Sequence, residues 1–81
     1  MYKVIIKYKK KSQFQRDHLV NIIGMVPPAY RAGVTVNAMS DSMLKGGTFT
    51  ITFEKQDYAD KLASNIFESY GNYIDITKEY E

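Results

Sequence analysis

Cysteine and tryptophan are both absent from these 81 residues, and histidine occurs once, as His18. Without cysteine there is no disulfide framework and no thiolate site for zinc or an iron–sulfur cluster. A lone histidine leaves no pair to share a metal, and at the edge of a helix stripe it reads as structural. The acids lack calcium-loop spacing, and Gly46-Gly47 lacks the lysine-serine of a phosphate loop, so it marks a turn. No apolar run approaches the ~18 residues that span a bilayer. The opening MYKVIIKYKKK is broken by lysine where a secretory signal needs a continuous apolar stretch. The expectation is a cytoplasmic protein with no membrane partner, no cofactor, no metal and no catalytic residue.

Charge of one sign is scarce in each half. Residues 1–31 carry Lys3, Lys7, Lys9, Lys10, Lys11, Arg16 and Arg31 against Asp17, a net of +6; residues 32–81 carry four lysines against eight acids, a net of −4. Either the halves neutralise each other on folding, or the basic half faces an acidic partner.

What is present is periodicity. Residues 2–9 alternate, with Tyr2, Val4, Ile6 and Tyr8 on one side, which predicts a half-buried strand. Ser12-x-x-Gln15 has the form of a capping box and opens a helix over 12–26, with Leu19, Ile22, Ile23 and Val26 on one stripe. Pro27-Pro28 stops it. Residues 34–39 alternate again, the loop 40–47 follows, and 48–54 place Phe49, Ile51 and Phe53 on one face. Asp57 is placed as the cap of a second helix over 57–70, Gly71 as its left-handed terminator, and 73–80 as a last strand. The expected core is Val4, Ile6, Leu19, Ile22, Val36, Phe49, Ile51, Phe53, Leu62, Ile66, Ile74 and Ile76.

The order β-α-β-β-α-β resembles the ferredoxin-like architecture. That resemblance implies a single α+β domain over 1–81, with a four-stranded antiparallel sheet in the order 4-1-3-2 and two helices on one face. RNA-recognition motifs share this order and stack bases on aromatics of the third strand. Here the stacking positions are Thr48 and Thr50, and the exposed position of the first strand is Ile5. Acylphosphatases share it as well, but the loop Lys9-Lys10-Lys11-Ser12 has no glycine and Arg16 falls inside the helix, so their phosphate cradle is missing.

The predicted topology gathers the loops 9–12, 40–47 and 70–73 at one end of the sheet. Lys9, Lys10, Lys11, Met43, Leu44, Lys45, Tyr70 and Tyr73 are therefore the candidate partner-binding residues, with Met43 and Leu44 as apolar anchors. The expected function is a small non-enzymatic interaction module whose partner is a protein, one that itself handles nucleic acid fitting the basic tract. Richness in Lys, Ile, Asn and Tyr is compatible with the AT-rich genomes of phages and mobile elements, hence with a viral inhibitor or adaptor of a host protein. One alternative is weak, sequence-insensitive nucleic-acid binding through Lys7, Lys9, Lys10, Lys11, Arg16 and Arg31. A second is a small-ligand regulatory domain. Both a monomer and a homodimer are compatible with the sequence.

Overall fold

The computed structural model describes residues 1–80, and its architecture corrects the expected one. It is an α+β fold whose described residues form a three-stranded antiparallel sheet and three α-helices, not a four-stranded sheet with two. Alternation in the first segment builds β1 (Tyr2–Tyr8), with Val4, Ile6 and Tyr8 buried and Lys7 exposed. β1 is central, pairing antiparallel with β2 (Phe49–Phe53) on one side and β3 (Ile74–Tyr80) on the other. Val4 lies opposite both Ile51 and Lys78, Lys3 opposite Glu79 and Lys7 opposite Asp75. Ile51 is only 2% exposed, so the inward and outward faces follow the sequence pattern.

Helix α3 (Gln56–Tyr70) packs on all three strands, α1 (Arg16–Met25) packs beside α3, and α2 (Val36–Asp41) packs on α1. On the other side of the sheet Thr50, Thr52, Asp75, Thr77 and Glu79 are exposed.

Residues 34–39 are where expectation and structure part. Thr35 is extended (φ −122°, ψ 159°), and its Oγ1 accepts a hydrogen bond from the Ala38 amide at 3.1 Å, which makes it the N-cap of α2. Val36, Met39 and Met43 then fall at i, i+3 and i+7, and Met39 and Met43 are buried in the core. A strand would have turned Met39 away from Val34 and Val36, leaving a large side chain in water. The expected loop 40–47 instead continues as a π-helical turn, Ser42–Gly46. Gly47 closes it: its N–H donates to the Ser42 carbonyl at 2.8 Å, and its φ of +91° is strained for any residue with a Cβ.

Three helix boundaries differ as well. The Ser12–Gln15 capping box does not form. Lys11–Gln13 is a 3-10 turn, and Gln15 is an extended N-cap without a side-chain bond, so α1 starts at Arg16. Phe14 meets Tyr8 edge-on at 5.8 Å and ties the chain down between the two. Asp57 lies in the first turn of α3 rather than at its cap, where it still opposes the helix dipole. Gly71 is right-handed (φ −59°) and is glycine for another reason: a Cβ there would stand 2.5 Å from the Phe67 carbonyl oxygen. The stop at Pro27-Pro28 holds, with Val26 extended before the first proline.

α3 and β3 are joined by Asp60, which accepts hydrogen bonds from the Tyr80 hydroxyl and from Lys78 Nζ at 3.3 Å. Tyr80's hydrogen bond, with Lys78 adding to it, outweighs desolvation and holds the Asp60 carboxyl below its usual value of 3.8. Desolvation, then the neighbouring carboxylate, pushes the Tyr80 phenol from 10.0 up to about 12.

Two outcomes follow from this architecture. Thr35→Val keeps the shape and favours a strand, yet it should cost about 1 kcal/mol by urea denaturation because the cap oxygen is lost. A gain in stability would mean that residues 34–39 are strand-like. Folding raises the Tyr80 pKa, so its contribution to stability is complete below pH 10 and lost as pH rises toward about 12. Asp60 works in the opposite sense, contributing above pH 3.8 and losing its share as pH falls further. Tyr80→Phe should therefore make the fall of the thermal midpoint above pH 10 smaller than in the native chain.

Candidate functional site

β1 ends where β2 and β3 begin, with Ile6 opposite Phe49 and Tyr8 opposite Ile74. Here the first and third of the expected loops meet directly, the Lys9 amide donating to the Tyr73 carbonyl at 2.8 Å. The second arrives through Gly47, over which the Lys7 side chain lies, with Lys7 Cε 3.4 Å from where a Cβ would be. This end carries Lys7, Lys9, Lys10, Lys11, Arg16 and Lys45 against Asp17, Asp41 and Asp75. Lys9 Nζ reaches Asp75 Oδ1 at 3.7 Å, but both side chains are about half exposed, so the pair contributes about 0–1 kcal/mol. Among the described residues Lys7, Lys10, Lys11 and Lys45 make no ion pair.

Behind the lysines stands an aromatic cluster centred on His18. Its ring lies 4.6 Å from Tyr70 and is stacked with Tyr73 at 5.7 Å and Tyr8 at 6.1 Å. His18 Nδ1 and the Tyr8 hydroxyl are hydrogen-bonded at 3.1 Å. Burial raises the Tyr8 phenol pKa, against a lowering by the Gln15 backbone. Asn21 Nδ2 donates to the Tyr70 hydroxyl at 2.7 Å, which ties Tyr70 to α1. Tyr73 is the open member, 41% exposed. Tyr73 is thus the open ring of a stacked cluster whose other members are buried or half-buried, with lysines beside it.

The structure places the sequence-derived candidates unevenly. Lys9, Lys10, Lys11, Lys45 and Tyr73 are exposed at the common end, and Tyr70 is half-buried there. Met43 does not fit the expected pair of exposed anchors: it is 1% exposed and packed in the core, leaving Leu44 alone at 39%. Among the alternative phosphate contacts, Arg31 is separated from the others. Its Nε donates to the Val26 carbonyl at 2.8 Å and its Nη2 to that of Gly24 at 3.5 Å, so it serves the free carbonyls at the end of α1. Of the His18 cluster the sequence reading has Tyr70 and Tyr73 but not Tyr8 and His18, because its members come from three separate segments. Their one shared signal is that each lies close to an element end on the same side of the expected topology.

Compared with protein-family models, curated proteins and solved structures, the chain matches none.

Single substitutions separate the two members of the expected anchor pair. Met43→Ala should destabilise the fold by about 2–5 kcal/mol, as for other buried large-to-small changes. Leu44→Ser should stay within about 0.5 kcal/mol, as for ordinary surface positions. Chemical denaturation of both variants checks this, and equal effects would contradict the described packing.

Proposed function

We propose that the chain is a non-enzymatic interaction module whose lysine-rich end binds an acidic surface of a protein partner. The observation that carries this reading is the convergence of Lys7, Lys9, Lys10, Lys11 and Lys45, with Tyr73 and Leu44 exposed, on one end of the sheet. Cations on long stems draw an acidic partner from a distance, while an aromatic and an aliphatic side chain hold it once water has left. Lys7, Lys10, Lys11 and Lys45, which make no ion pair among the described residues, have none to give up on binding.

A second reading has its own support. Tyr73 stacked on His18 beside Lys9 offers a π face next to cations, the combination that holds single-stranded nucleic acid without reading its bases. The open sheet face does not extend that platform, because Ile5, Thr50, Thr52 and Thr77 occupy it.

Capture from a lysate by immobilised protein, with and without nuclease, distinguishes the two. Under the first reading, specific proteins survive nuclease treatment. Lys10→Gln with Lys11→Gln should then slow their association several-fold and flatten its salt dependence, whereas Tyr73→Ala should speed dissociation by roughly tenfold or more. Complete loss of capture on nuclease treatment moves the weight to nucleic acid. Unchanged capture by the lysine variant removes this end of the molecule as the site.

A further inference from the structure

A different surface, on the far side of α3, carries a self-complementary pattern. Phe67 is 68% exposed, the most exposed large apolar side chain among the described residues. Beside it lies a groove of about 280 Å³ between α3 and β3, lined by Asp60, Ala63, Ser64, Phe67, Ile76 and Lys78. The ring leans over Gly71: its Cδ2 and Cε2 lie 3.1 and 3.3 Å from where a Cβ there would be, so a side chain at that position would crowd it. An exposed aromatic knob and a groove walled in part by Ala63 and Ile76 therefore share one patch.

We propose that this patch is an isologous dimer interface, in which α3 packs antiparallel on α3 of a second copy and each Phe67 enters the other's groove. A two-fold interface requires knob and hole on the same surface, because each copy must offer what the other receives. At 100° per residue, Asp60, Ser64, Phe67 and Gly71 form one stripe of α3, and Lys61 and Glu68 lie together on one flank. A two-fold axis passing between the two helices, perpendicular to both and level with the Ser64–Asn65 step, keeps that flank on the same side and reverses the helix direction. Lys61 then faces Glu68 of the second copy, and Glu68 faces its Lys61. Both side chains are exposed, and among the described residues neither makes an ion pair within its own chain. The same axis sets Phe67 at the level of Leu62 and Ala63 of the second copy, over its groove, and leaves Asp60 opposite Ser69 rather than another acid. Asp60 already accepts from Tyr80 and Lys78, so closing the interface over it strands no charge.

The test is sedimentation velocity of the full chain over a concentration series, with circular dichroism on each variant to confirm folding. The native chain should pass from monomer to dimer in the micromolar range. Phe67→Ala should weaken the dimer about 30-fold, as for a truncated interface anchor. Lys61→Glu and Glu68→Lys should each weaken it several-fold, and the two together should restore it, because the exchanged charges again face opposites. A chain that stays monomeric at millimolar concentration overturns the proposal. So does a dimer indifferent to Phe67→Ala, or a double variant no better than the single ones. None of these outcomes depends on what the lysine-rich end binds.

Discussion

A single strand has to satisfy two neighbours at once. β1 is only seven residues long, yet it hydrogen-bonds to both other strands and supplies Val4, Ile6 and Tyr8 to the core. A slip of one residue against either neighbour would exchange that set for Lys3, Ile5 and Lys7, and the sheet would have no buried face. The registers of β2 and β3 are therefore not independent choices. Once Ile51 and Phe53 face inward opposite Val4 and Tyr2, the remaining core can be completed only from helices on that side. α3 is the first to do so, through Ala59, Leu62, Ala63 and Ile66.

That constraint also explains which parts of the structure are legible in the sequence. Strands whose alternation is written in β-branched and aromatic residues are placed correctly, as β1, β2 and β3. Residues 34–39 mislead because six residues of alternation are compatible with a helix start, where a capping threonine happens to fall between two valines. The deciding signal lies outside that window, in Met43, four residues beyond Met39 and on the same helical stripe. Treating the segment after Ser40 as a loop conceals it, and the same step turns a core methionine into a surface anchor. Ser12 and Gln15 mislead in the other direction: the capping motif is present, but the chain makes a 3-10 turn before it can close. Gly71 shows that a glycine after a helix need not be left-handed, since the limit there is contact with the Phe67 carbonyl. The α3–β3 groove leaves no mark in local pattern, because it depends on a side chain that sits outside the buried stripe of its own helix.

Charge follows the same logic of use and surplus. The opposite signs of the two halves are partly consumed within the fold by Lys9 with Asp75 across the β1–β3 edge, while Lys78 and Asp60 pair within the acidic half, between β3 and α3. Arg31 is consumed by helix carbonyls. What remains is concentrated where β1 runs out, and the aromatic cluster around His18 gives that positive end a rigid backing. Surplus charge on a rigid support is better suited to a partner than the same charge on a mobile loop, since less ordering is needed on contact.

The two surfaces constrain each other through the direction of α3. This helix ends at Tyr70, within the aromatic cluster, so its C-terminal end marks the lysine-rich pole of the molecule. Parallel pairing of two α3 helices would set two such poles side by side, and their mutual repulsion would oppose association. Antiparallel pairing sends them in opposite directions. With the axis between Ser64 and Asn65, Tyr70 of one copy lies level with Ala59 of the other, about 16 Å along the helix from the other's Tyr70 and beyond the ~8 Å over which charge acts at physiological salt. The orientation that matches Lys61 with Glu68 is thus also the one that separates the surplus lysines. A dimer built this way presents its two basic ends at opposite poles, a geometry suited to joining two acidic partners rather than to gripping one.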